Sequence, residues 1–253
     1  MEKIVSFCNL EYIDVALNWA EHLNRLEISN YSVFTIDSQT TQALECNPIF
    51  KGDVLRLYPD SDFLKSCNNT IFRIKKLSEL LMSEREDVLL CDLDALWFKN
   101  PLPLLQDRCE DIIFSTVRHS NAFPRKMLNQ FGFTCCMGWA LFRANSRTTD
   151  YLDNVYVSGG GVTGKAFGSD QKLFNNYLMD HVFNVCEDEL GNIMRSDYID
   201  SDDQTQCLSI LCLNKEIIKR GPITKETYVW HPNTRKEALH KKEVFSQYDK
   251  WLI

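Results

Sequence analysis

The feature that most constrains this chain is the run Val88-Leu89-Leu90-Cys91, entered from Asp87 and ending directly on Asp92-Leu93-Asp94. An unbroken apolar run of this length, with no polar alternation, reads as a strand covered on both faces. Strands of that kind sit inside parallel sheets flanked by helices. The residues ahead of it agree. Residues 3–8 read as a strand, and Ile13, Leu17, Ala20, Leu23 and Leu26 form a helical stripe over 11–27. Residues 31–37 read as a second strand, so the chain opens strand–helix–strand, the order of a parallel α/β unit. Residues 53–58 are a weaker third strand. Residues 69–85 are a helix with Ile74, Leu77 and Leu81 on one face.

Downstream, 111–116 and 138–143 are strand candidates, and 146–157 and 169–180 read as helices. A glycine-rich loop, 158–168, lies between those helices, and 186–206 is acidic and turn-rich. Residues 215–219 and 227–231 read as short strands, and 237–253 as an amphipathic helix. There is no repeat and no linker, so one α/β domain over 1–253 is expected.

The balance of 28 Lys and Arg against 35 Asp and Glu gives a net charge of −7, which argues against binding nucleic acid. It leaves room for a small phosphorylated ligand, which needs only one local positive site. The apolar opening is interrupted by Asn9, Glu11 and Asp14, too early for a signal peptide or anchor. No window approaches the roughly 20 apolar residues of a membrane span. A cytoplasmic protein without a membrane span is expected on these grounds. Ten Cys are present with no C-x-x-C pair, which speaks for reduced thiols rather than structural zinc.

In open α/β sheets, ligands bind beyond the carboxyl ends of the strands. Asp92 and Asp94 stand there, and positions i and i+2 of a strand extension point the same way. Two carboxylates on one side call for a cation. Hard oxygen ligands suit Mg²⁺ or Mn²⁺, which keep positions open for substrate phosphates. For a bare D-x-D, the plain alternative is a solvated turn.

The longer run Asp87–Leu102, with Trp97-Phe98-Lys99-Asn100-Pro101-Leu102 after the acidic pair, resembles the D-x-D segment of the nucleotide-diphospho-sugar transferases. These are retaining glycosyltransferases with a GT-A fold. Three further segments follow in the same order. Cys136-Met137-Gly138-Trp139-Ala140-Leu141-Phe142-Arg143 resembles the family's small-residue strand, with Cys136 in place of Asn. Ser169-Asp170-Gln171 with Phe174-Asn175 resembles its D-Q-x-x-x-N helix start. Trp230-His231-Pro232-Asn233 resembles its late histidine.

The resemblance implies a single GT-A domain with a Rossmann-like, mostly parallel central sheet. Residues 1–100 would form the nucleotide-binding half and 101–253 the acceptor-binding half. It implies Mn²⁺ or Mg²⁺ on Asp92, Asp94 and His231, with Asp92 also serving the donor's hydroxyls. Arg73, Lys76 and Lys165 would meet the donor diphosphate, Gly138 would permit close approach, and Trp139 would stack on a sugar. Asp170 and Gln171 would act at the reacting sugar. The donor is a nucleotide sugar, expected to be a UDP-sugar. The acceptor is a glycan or glycoprotein, and a hexosyl or pentosyl group moves with retention.

Each residue also has a plain structural alternative: a helix cap for Asp170, a solvated helix face for Arg73 and Lys76, a surface loop for Lys165, core filling for Trp139. Two other functions compete. A haloacid-dehalogenase-like phosphatase also starts from strand–Asp-x-Asp, although Ala95-Leu96 stand where that family has Gly-Thr. A non-catalytic sugar-nucleotide-binding protein could share the fold.

Overall fold

The computed structural model describes residues 2–57, 69–118, 122, 124–160, 169–200, 202–234 and 237–253. In chain order the elements begin β1 (Lys3–Cys8), α1 (Ile13–Arg25), β2 (Tyr31–Thr35), α2 (Ser38–Glu45), β3 (Asp53–Arg56) and α3 (Asn69–Glu84). There follow β4 (Val88–Cys91), β5 (Leu96–Trp97), β6 (Ile112–Val117), α4 (Arg125–Phe131), β7 (Thr134–Phe142) and α5 (Ser146–Ser158). The last are α6 (Asp170–His181), β8 (Val182–Asp188), β9 (Gly191–Ile199), β10 (Thr205–Leu213), β11 (Ile218–Lys219), β12 (Val229–Trp230) and α7 (Ala238–Gln247). This is the expected α/β class. The described residues fall into two compact units: unit A holds 3–57, 90–107 and 216–253, and unit B holds 2, 69–89 and 108–215.

In unit A, β1 pairs parallel with β2, and β2 parallel with β3. The order runs β3-β2-β1-β4. All four residues of β4 are fully buried, as its apolar sequence requires. Helix α1 lays Val15, Ala16, Leu17, Trp19, Ala20 and Leu23 into the core; of the stripe expected from the sequence, Leu17, Ala20 and Leu23 are buried, while Ile13 is half-buried and Leu26 lies past the helix end. Helix α2 carries no such stripe, because only Leu44 and two threonines are buried. It forms on its cap: Asp37, read as a strand end, accepts Thr40 N–H at 2.7 Å. A small second sheet pairs β12 parallel with β11 and antiparallel with β5, Val229 facing Trp97 and Trp230 facing Leu96. Helix α7 stops at Gln247, short of the chain end. The following segment is held by α1 instead, where Asn18 accepts Leu252 N–H at 2.7 Å and donates to the Lys250 carbonyl at 3.2 Å.

In unit B the order is β7-β6-β10-β9-β8. Strands β6 and β10 are parallel, and the remaining pairs antiparallel. The stretch expected to be turns, 186–206, instead builds most of the β8–β9 hairpin. In β9, Met194, Ser196 and Tyr198 are buried while Arg195, Asp197 and Ile199 are exposed. Its polar residues fill the solvent face of a strand with period 2, which a composition reading takes for a loop. Gly191 opens β9 where an added Cβ would lie 2.0 Å from the Cys212 carbonyl oxygen.

Helix α6 is fastened to β7 by Asn175, fully buried. Its side chain accepts Cys135 N–H at 2.8 Å and donates to the carbonyls of Cys135 at 2.8 Å and Gln171 at 2.7 Å. Asn175→Ala strips partners from two buried main-chain groups of β7. It should lower unfolding free energy by about 3 kcal/mol, read as a reduced urea midpoint at unchanged slope.

Candidate active site

Beyond Cys91 the chain turns instead of extending. Ala95 N–H donates to the Asp92 carbonyl at 2.9 Å, and Leu93–Asp94 occupy the bend. The two carboxylates therefore come together through a turn, where the sequence suggested the same face of an extended strand. The β5–β12 register then carries the chain from Trp230 into His231, whose N–H donates to the Lys219 carbonyl at 2.8 Å.

Asp92, Asp94 and His231 each place a ligand atom within 4.8 Å of the others. His231 Nε2 lies 3.3 Å from Asp94 Oδ1 and 3.8 Å from Asp92 Oδ2. Two hard carboxylate oxygens and one imidazole form a donor set suited to a divalent ion such as Mn²⁺ or Mg²⁺. Asp94 and His231 are buried while the Asp92 side chain is 31% exposed, which leaves one side of the group open. The group thus fits the expected ion.

Two residues the sequence reading missed complete the cluster. Lys241, on α7, makes an ion pair with Asp94 Oδ2 and donates to Thr234 Oγ1 at 2.9 Å. Thr234 Oγ1 in turn donates to Asp94 Oδ2 at 3.4 Å. Burial alone would raise the Asp94 pKa. His231 and Lys241 overcome that and hold the carboxyl well below the usual range. Tyr12 shows the opposite effect, its hydroxyl pushed up to about 12 by burial and then by the charges of Asp94 and Asp92. A signal for Lys241 existed. It precedes the buried Phe245 by one helical turn, and a lysine on a buried stripe implies a buried partner.

The second constellation is in unit B. Ser169 caps α6, its Oγ accepting Lys172 N–H at 3.3 Å, so capping does not fall to Asp170. Asp170 Oδ1 accepts Gln171 N–H at 2.8 Å, and Oδ2 lies 3.3 Å from Arg73 Nε. Arg73 also donates to the Met137 carbonyl at 3.4 Å. That carbonyl belongs to a bulge: β7 pairs Cys136 with Ser115 and Ala140 with Phe114, leaving Met137, Gly138 and Trp139 outside its ladder with β6. Trp139 is fully buried. Lys76, read as a phosphate contact, is ion-paired with Glu79 on its own helix. Lys165 lies outside the described residues. Among the expected residues, then, the structure joins Asp92 with Asp94 and His231, and Arg73 with Asp170.

The chain matches the profile of the nucleotide-diphospho-sugar transferases over residues 26–245. Beta-arabinofuranosyltransferase RAY1 of Arabidopsis thaliana is 31% identical over 98% of this chain, which spans 44% of that protein. Arabinosyltransferase XEG113, from the same plant, is 30% identical over 40% of this chain and 16% of its own. The chain thus spans less than half the length of either relative. Among solved structures, galactosyltransferase LgtC superposes with a TM-score of 0.57 at 12% identity, covering 97% of this chain and 94% of that one. Mouse xyloside xylosyltransferase 1 does so with 0.54 at 11%, covering 92% and 97%. At such identities the likeness speaks for the fold, which is GT-A.

These relatives correct the cytoplasmic expectation. The two arabinosyltransferases are secretory-pathway enzymes, in conflict with a cytoplasmic location. The polar interruptions after residue 8 are no guide to compartment in a chain that matches part of a longer relative. No described helix is long and apolar enough to cross a membrane. The chain belongs to the nucleotide-diphospho-sugar transferase family.

Arg73 and Asp170 should behave as one unit. A double-mutant cycle of Arg73→Met and Asp170→Asn, followed by urea unfolding, should return a coupling of about 1 kcal/mol or more, as buried contacting charges do.

Proposed function

We propose, from that membership, that this chain is a divalent-metal-dependent glycosyltransferase taking a pentosyl or hexosyl group from a UDP-sugar to a glycan or glycoprotein, with retention. The observation that carries the reading is the Asp92–Asp94–His231 group at the end of a buried central strand. A bound Mn²⁺ or Mg²⁺ would act as a Lewis acid on the diphosphate leaving group. The protein's part there is to hold two carboxylates and one imidazole in place before the ion arrives. His231 and Lys241, outweighing the effect of burial, keep Asp94 ionised as a ligand across the working range. The relatives' names, two of them arabinosyltransferases, favour a pentose. Nothing among the relatives supports the phosphatase alternative.

Asp170 and Gln171 are proposed to act at the sugar. Asp170 already accepts a main-chain N–H and faces a guanidinium. Both interactions favour a fixed charged carboxylate. A carboxylate so engaged suits electrostatic stabilisation of a positive sugar centre better than nucleophilic attack. Arg73, spent on that carboxylate and on the bulge of β7, would position Asp170 rather than grip phosphate. Gly138 and Trp139, in the same bulge, are proposed to shape the donor site.

The test is release of UDP from UDP-arabinose, UDP-xylose and UDP-galactose, with Mn²⁺, with Mg²⁺ and with EDTA. Turnover should need the ion, and Asp94→Ala and Asp170→Asn should each lower kcat/KM by about 10²-fold or more. Mn²⁺-dependent UDP binding without turnover on any donor would instead mark a non-catalytic binding protein.

A further inference from the structure

We infer that Lys241 is a built-in counter-charge that weakens divalent-ion binding by the empty site and makes the ion load together with the donor's diphosphate. This rests on reading Asp92, Asp94 and His231 as a metal centre. The two oxygens of Asp94 have different partners. Oδ1 faces His231 Nε2 at 3.3 Å, on the ligand side. Oδ2 is taken by the Lys241 ammonium and the Thr234 hydroxyl, which also bond each other. Asp94 can therefore offer an ion one oxygen only.

The ammonium is not a loose surface group. Lys241 is 6% exposed, its N–H donates to the Glu237 carbonyl within α7, and its Nζ lies 5.9 Å from the centre of the Tyr12 ring. Tyr12 adds no charge, since its hydroxyl stays protonated. Since an imidazole that ligates a metal must be neutral, the charges the arriving ion meets are Asp92, Asp94 and Lys241, a net of −1 where the carboxylates alone give −2. A 2+ ion arriving there leaves a net positive site, in surroundings where charge is poorly screened. A diphosphate on the open side restores the balance, so ion and diphosphate raise each other's affinity by the same factor. Without Lys241 the site would hold the ion alone, and the coupling would shrink.

Mn²⁺ titrations of metal-stripped protein, followed by the electron paramagnetic resonance of free Mn²⁺ with and without UDP, read this directly. In wild type, UDP should tighten Mn²⁺ binding by about tenfold or more, within the usual span of such couplings. Lys241→Met should bind Mn²⁺ alone about tenfold more tightly and lose most of the UDP effect. Thr234→Val, which loosens the ammonium and removes the hydroxyl's own bond to Asp94 Oδ2 while keeping the positive charge, should move both quantities the same way by less. It also serves if Lys241→Met does not fold. Lys241→Arg, which keeps the charge, should stay near wild type.

Unchanged or weaker Mn²⁺ binding in both Lys241→Met and Thr234→Val overturns the counter-charge role. Mn²⁺ binding that is absent from wild type even with UDP, or that survives Asp94→Asn, overturns the metal-centre reading itself. The two failures are thus distinct.

Discussion

The arrangement of unit A turns on one buried carboxylate. Asp94 is taken out of water at the end of a strand that is itself fully buried, a costly position for a charge. Its compensation comes from the far end of the sequence, His231 after β12 and Lys241 on α7. That requirement explains why a two-residue strand, Val229–Trp230, is worth forming at all. Its pairing with Leu96 and Trp97 brings His231 to the turn that holds Asp94. The polar clamps of Asn18 on the segment beyond α7 serve the same end, keeping the helix that bears Lys241 in place.

Elsewhere the protein adds side-chain amides and carboxylates to the apolar packing that holds its backbone, as where Phe174 of α6 meets Phe114 of β6. Asn175 substitutes for a strand neighbour by pairing with both main-chain groups of Cys135. Asp111, almost fully buried, accepts Ser209 N–H at 2.9 Å, the Asn145 amide at 3.0 Å and the Arg147 guanidinium at 2.7 Å, tying β10 to the start of α5. Satisfied polar groups of this kind give direction as well as attraction. The start of α6 carries Asp170 only as accurately as such bonds hold that helix to the bulged strand beside it.

Much of this was legible in the sequence. The run into Asp92-Leu93-Asp94, the opening strand–helix–strand and the stripe of α1 all rest on periodicity or burial, which local sequence records. The acidic pair and His231 came from a motif. What escaped was whatever depends on partners distant in the chain. Helix α2 has no stripe and rests on Asp37. The β8–β9 hairpin puts its charges on a solvent face, and Lys241, although one helical turn before Phe245, has its partner Asp94 far away in the chain. The turn at Leu93–Asp94 escaped for a different reason, because D-x-D suits an extended chain and a bend equally.

The Lys241–Asp94 pair spans 147 positions of sequence. During synthesis, Asp92 and Asp94 emerge long before the residues that neutralise and orient them. Until α7 arrives, the strand end carries two uncompensated acids and no site. Closing so long a loop is entropically expensive and intrinsically slow. The compensated acidic cluster is therefore the last thing this unit acquires, and an incomplete chain presents an acidic loop in its place.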